Sequence, residues 1–115
     1  MGGVRASVAW GTVLGLAAGV GCGDDGKDPL ARGRAVYLAN CVACHNTNPK
    51  LAGPIGPDLA GSSRELLAAK VLRNEYPPGH QPKRSTRAMV PLPHLENDID
   101  ALAAYLGSVK PASIP

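Results

Sequence analysis

Five consecutive residues carry the most specific chemistry in the chain: Cys41, Val42, Ala43, Cys44 and His45. Two thiols three residues apart at a helix end can each add to one vinyl group of a haem. The imidazole that follows then lies beneath the iron as a proximal ligand. Two other chemistries use related spacings. A redox dithiol follows a strand and opens a helix, whereas this motif closes one. A structural zinc site needs a second ligand pair, and the one remaining cysteine, Cys22, is accounted for by N-terminal processing. The spacing predicts one covalently held haem c on Cys41, Cys44 and His45.

A second iron ligand is sought downstream. Met89 is the only methionine besides Met1, which leaves with the N-terminal leader. It lies far enough beyond His45 for the chain to return across the other haem face, and Pro91 and Pro93 stiffen its loop. A thioether is soft and suits ferrous iron, and Met/His ligation raises the reduction potential relative to two imidazoles. His94, five residues on, is the nearer rival, and His80 would need a different loop path. Both histidines lie in proline-rich loops and read first as exposed polar residues. With both axial positions filled the iron would relay electrons rather than catalyse. Two alternatives stay open: an enzyme or sensor with an open distal side, and an electron-entry subunit of a larger membrane oxidoreductase.

These residues need elements to hold them. The chain of 115 residues suits one domain, and its 44% hydrophobic and 18% charged residues are those of a globular one. It contains no Phe, and its aromatic residues are Trp10, Tyr37, Tyr76 and Tyr105. So small and aromatic-poor a domain needs another source of core, which a large apolar cofactor would supply. The net charge of +3 carries no nucleic-acid signature. Helical spacing begins at Asp28 and Pro29, a cap and a first-position proline, with Leu30, Gly33, Tyr37 and Cys41 marking one face. Gly33 reads as room for a close helix crossing. Ser62 and Glu65 predict a capping box for a second helix, closed by Tyr76-Pro77-Pro78-Gly79. Asn97 and Asp100 predict the start of a third, with Ile99, Leu102, Ala103 and Leu106 as its stripe and Gly107 as its stop. The loops between, 44–61 and 76–96, are long enough to wrap around something.

The N-terminal 21 residues read as an export leader: Arg5, an apolar run from Ala6 to Val20, then Gly21-Cys22. The run is shorter than the ~18 residues of a spanning helix. Gly19-Val20-Gly21-Cys22 resembles a bacterial lipoprotein cleavage site, departing from it at Gly19, where a large aliphatic residue is usual. The resemblance implies lipidation of Cys22, a membrane anchor on the periplasmic side, and a polar tether from Gly23 to Asp28.

Taken in order, the motifs resemble the class I cytochrome c family from about Asp28 to Lys110. Gly33 and Tyr37 stand four apart in the first helix, before Cys41, Cys44 and His45. The loop Gly56-Pro57-Asp58-Leu59-Ala60-Gly61, then Met89-Val90-Pro91 and the run Ala103-Ala104-Tyr105-Leu106, complete the pattern. The resemblance implies an all-α fold, the small cytochrome c fold: three main helices and long loops wrapped around one covalent haem. It implies that the first and last helices cross at Gly33, with Tyr37 and Tyr105 near the crossing. It further implies that the Pro57 carbonyl accepts the second ring N–H of His45, that Leu59 packs on the haem, and that Met89 is the distal ligand. The organisation expected is a leader at 1–21, a tether at 22–28, the cytochrome c domain at 29–110 and a tail at 111–115. The function implied is a one-electron carrier rather than an enzyme. Lys83, Arg84 and Arg87, just before Met89, are expected to help steer an acidic redox partner.

Overall fold

The computed structural model describes residues 28–112 and the isolated glycines Gly2, Gly3, Gly11 and Gly15. The expected lipidation site Cys22 lies outside the described residues. Three helices, α1 (Pro29–Asn40), α2 (Arg64–Arg73) and α3 (Ile99–Ser108), form the frame, and a 3-10 helix, Pro93–Asp98, leads into α3. No strand occurs among the described residues. The all-α class expected from the sequence is the one observed.

α1 starts where the sequence places it. The Asp28 carboxylate accepts from the Leu30 N–H at 2.9 Å and Pro29 occupies the first turn, where its missing N–H costs nothing. Its inner face is Gly33, Val36 and Tyr37, while Leu30 is 46% exposed and lies off the face. α3 crosses α1 at Gly33. A Cβ there would stand 2.0 Å from the Ala101 carbonyl oxygen and 2.7 Å from Tyr105 Cβ, so the approach depends on hydrogen at that position. Beside the crossing the rings of Tyr37 and Tyr105 pack tilted at 55° with centroids 5.7 Å apart. Arg32 adds a two-pronged ion pair to Asp98, at 2.9 and 3.1 Å.

The caps of α2 and α3 differ from the sequence expectation, and each difference has a local cause. Gly61 adopts φ +76° in a tight turn that Ser62 closes, its hydroxyl donating to the Leu59 carbonyl at 2.6 Å. The cap therefore falls to Ser63, whose Oγ accepts from the Leu66 N–H at 3.2 Å. Glu65 sits one position too early to complete a capping box. The helix ends at Asn74, left-handed at φ 53°, before Tyr76 and the prolines are reached. The Asn74 side chain is held by Lys70 Nζ at 2.6 Å. No side chain caps α3, because the 3-10 helix runs straight into it. Asp98 and Asp100 are engaged instead by Arg32 and Arg64, which tie α1 and α2 to the start of α3. Gly107 lies inside α3, and the Ser108 hydroxyl donates back to the Tyr105 carbonyl at 2.6 Å.

One core runs through all of these elements. Val36 and Tyr37 from α1, Leu67 and Val71 from α2, Leu95 from the 3-10 helix, and Ile99, Leu102 and Leu106 from α3 are buried against one another. The turn at Gly61 is pinned to this core, its N–H donating to the Leu106 carbonyl at 2.8 Å.

Candidate functional site

α1 delivers the site. Its last turn places Cys41, and the chain coils back so that the N–H groups of Cys44 and His45 both reach the Cys41 carbonyl, at 3.3 and 2.9 Å. Tyr37 holds the exit of this turn by donating its hydroxyl to the Asn46 carbonyl. His45 is buried, and its Nδ1 lies 2.8 Å from the Pro57 carbonyl. A carbonyl only accepts, so Nδ1 carries the proton and Nε2 keeps its lone pair for a ligand bond. Burial holds the His45 pKa below its usual value. The Pro57 bond opposes that effect, and the nearby charges of Arg84 and Lys70 add to it. The ring is thus kept neutral, as a metal ligand must be.

The loop that supplies Pro57 is locked to the motif. The N–H groups of Ile55 and Gly56 both donate to the Cys44 carbonyl, at 3.2 and 2.8 Å. Two glycines make this fit possible. A Cβ on Gly53 would come within 2.3 Å of the Cys44 carbonyl oxygen, and one on Gly56 within 2.3 Å of His45 Cε1. The role of Gly53 was not anticipated from the sequence. The repeated glycines of Gly53-Pro54-Ile55-Gly56-Pro57 are the trace it leaves there.

Cys41, Cys44, His45, Pro57, Leu59 and Met89 all line one cavity of about 280 Å³. Leu67, Val71, Leu102 and Leu106 bring the hydrophobic core to its wall. The six side chains and carbonyls expected to act together are therefore gathered in one place. The Cys41 thiol is pushed up to about 11 by burial and by the neighbouring Cys44. A thiol so far from ionising is a poor redox nucleophile, which speaks against a dithiol centre. Among the described residues no group of three or more His, Cys, Asp or Glu side chains is gathered for a metal ion. Among the described residues the zinc alternative finds no remaining ligands.

The histidine rivals of Met89 exchange rank. His94 is exposed on the 3-10 helix and does not line the cavity. His80 does reach the cavity wall, stacked on Tyr76 at 5.3 Å and 7°. Lys70 Nζ covers the Tyr76 ring at 4.4 Å. The basic cluster also behaves differently from a free patch. Lys83 is paired with the Asp58 carboxylate at 2.8 Å, and Arg84 donates to the carbonyls of Ile55 and Gly53 at 2.7 and 3.4 Å. Both are loop ties, which leaves the exposed Arg87 as the member of the cluster that makes no ion pair among the described residues.

A helical frame around an apolar cavity, entered by two thiols and a neutral imidazole, defines the class. The chain belongs to the cytochrome c family, which it matches over residues 30–110. Among curated proteins it is similar to cytochrome c-554(548) of Halomonas halodenitrificans, at 32% identity over 73 residues. That match covers 62% of this chain and 86% of the relative. Members of the family are typically electron-transfer proteins, and membership implies covalent haem c. The residues present fit that group. The C-x-x-C-H spacing supplies the thiols, the glycine at position 56 clears the face of the His45 ring, and the cavity walls are apolar.

Proposed function

We propose that this chain is an exported monohaem c-type cytochrome that carries single electrons, with His45 and Met89 as the two iron ligands. The observation that carries this reading is that Met89 and His45 line the same apolar cavity as Cys41 and Cys44. When bound, the haem supplies a ferrous/ferric couple. The chain's own residues set the conditions for it. Cys41 and Cys44 anchor it covalently. The Pro57 carbonyl fixes the tautomer and orientation of His45 and makes its Nε2 a better donor. Leu59, Leu67 and Leu102 line the cavity and would keep water from a haem held there. The Met89 thioether, as a second protein ligand, would favour the reduced state and leave no place for oxygen or peroxide to bind.

The wider organisation follows the same reading: a leader at 1–21, a tether at 22–28 carrying a lipid on Cys22, the haem domain at 29–110 and a short tail at 111–115. Bacterial c-type cytochromes are typically exported, and the lipid would hold this one at the periplasmic side of a membrane. Its partners are other redox proteins. Arg87, exposed near Met89, is the cation best placed to attract an acidic docking surface, an effect on association rate that salt screens.

The deciding experiment is the spectrum of the ferric protein. Wild type should show the weak far-red sulfur-to-iron charge-transfer band, and Met89→Ala should lose it and bind carbon monoxide readily when reduced. Retention of an unchanged spectrum in Met89→Ala, with His80→Ala disrupting it, would move the ligand role to His80.

A further inference from the structure

Met89 sits in a stretch of chain with little to hold it. Among the described residues, no hydrogen bond is made by the main chain from Ser85 to Pro91. The stretch is exposed except for Met89 itself. Downstream it is tied at Leu92, whose N–H reaches the Val71 carbonyl of α2 at 2.6 Å. Upstream, the nearest main-chain bond is the one from His80 to Pro77, at 3.1 Å. Between those points stand Lys83 and Arg84, and both reach the same target. Arg84 donates to the carbonyls of Ile55 and Gly53. Lys83 donates to the main-chain carbonyl of Asp58 at 3.0 Å and to its carboxylate at 2.8 Å.

The target is the loop that carries Pro57, and it is rigid. Its Ile55 and Gly56 N–H groups are bonded to Cys44, the Gly53 N–H returns to the Gly56 carbonyl at 2.9 Å, and its Pro57 carbonyl orients His45. We propose that Arg84, with Lys83 beside it, is a positioning residue for Met89: it joins the segment bearing the distal ligand to the segment that orients the proximal one. The inference rests on the reading of His45 and Met89 as the iron ligands.

Geometry makes Arg84 the principal tie. Its two terminal nitrogens address two carbonyls at once, a fork that a lysine ammonium does not reproduce. Both line the cavity, but Arg84 is half-buried, whereas Lys83 is an exposed ion pair of the kind that contributes little alone. Removing Arg84 leaves only the exposed Lys83 pair to hold the chain between His80 and Met89 among the described residues. Holding the Met89 thioether in place then costs more chain entropy.

The test uses the ferric holoprotein and imidazole as a competing ligand. In Arg84→Ala, imidazole should displace the thioether about tenfold more readily than in wild type, the worth of two modest hydrogen bonds. On heating, the far-red band should vanish below the temperature at which the helices are lost by circular dichroism. Arg84→Lys, which keeps the charge and one donor, should lie between the two, and it carries the same test if Arg84→Ala does not accumulate. Wild-type imidazole affinity in these variants, or band and helices lost together, would overturn the inference while leaving His/Met ligation intact. A wild-type protein without the far-red band would overturn both.

Discussion

Gly56 lies against the imidazole of His45 so closely that a Cβ would stand 2.3 Å from Cε1 and 2.5 Å from Nδ1. The methyl group of Gly56→Ala therefore has to displace the ring or the loop, and either movement stretches the bond from Nδ1 to Pro57. Overpacking of this kind costs about 1–3 kcal/mol. The variant should unfold at lower denaturant than wild type, and the shifts of the His45 ring protons in the ferric protein should change. Unchanged ring shifts would show that the loop yields instead.

Gly33→Ala tests the helix crossing. On an isolated helix the change would gain about 1 kcal/mol. Here the new carbon meets the Ala101 carbonyl, a main-chain atom that cannot step aside. The sign should reverse, with a net loss of stability in urea titration of the holoprotein. A stabilised variant would mean that α1 and α3 slide apart at no cost.

The haem should also be needed for folding. The cavity lies between the core residues Leu67, Val71, Leu102 and Leu106, and the chain has no Phe with which to fill it. A protein with Cys41→Ala and Cys44→Ala, made without haem, should lack a cooperative unfolding transition by circular dichroism. A sharp native-like transition would show that the helices suffice.

Tyr37 sets an alkaline limit. Burial pushes its pKa up to about 12, with smaller contributions from Cys41 and Tyr105. The Cys41 contribution ends once its sulfur is a thioether, but burial remains. A raised acid stabilises the fold fully below its unfolded value of 10. That stabilisation is lost progressively as pH climbs from there towards 12, because the unfolded chain releases the proton first. Tyr37→Phe should lose about 1 kcal/mol at neutral pH, from the missing bond to Asn46. Its denaturation midpoint should then fall less steeply than that of wild type above pH 10.

Lipidation at Cys22 is tested by phase partition. Expressed in a bacterium, wild type should enter the detergent phase and Cys22→Ser should remain aqueous. A soluble wild type with an unmodified N-terminus would reduce the leader to one of ordinary secretion.

What the sequence made legible was the chemistry that depends on neighbours along the chain. The C-x-x-C-H motif, the Asp28 cap and the glycine-tyrosine spacing of α1 are all local, and the glycine's use as a crossing point follows from its lack of a side chain. The misplaced features depend on partners that a capping pattern does not name, some a turn away and some on other helices. Ser63 caps α2 because Ser62 is already committed to Leu59, and Asn97 and Asp100 do not cap α3 because the 3-10 helix runs into it and Arg64 of α2 engages Asp100. His94 ranked above His80 by nearness to Met89 in sequence, an ordering that a single 3-10 turn reverses. Lys83 and Arg84 read as a charged patch because nothing in their own segment reveals the carbonyls of Gly53 and Ile55.

The crossing of α1 and α3 also bears on the order of events as the protein is made. Arg32 and Asp98, which meet beside it, stand 66 residues apart in the chain, so the first helix gains its main packing partner only when the last has been made. Contacts of such long range form late and slowly. Throughout that interval Cys41 and Cys44 lie in an open polypeptide, with their thiols accessible and free of the burial that later suppresses ionisation at Cys41. Because the chain without haem should not close over its own cavity, haem joined to these two residues would come before the meeting of the two ends of the domain and would complete the core on which that meeting depends.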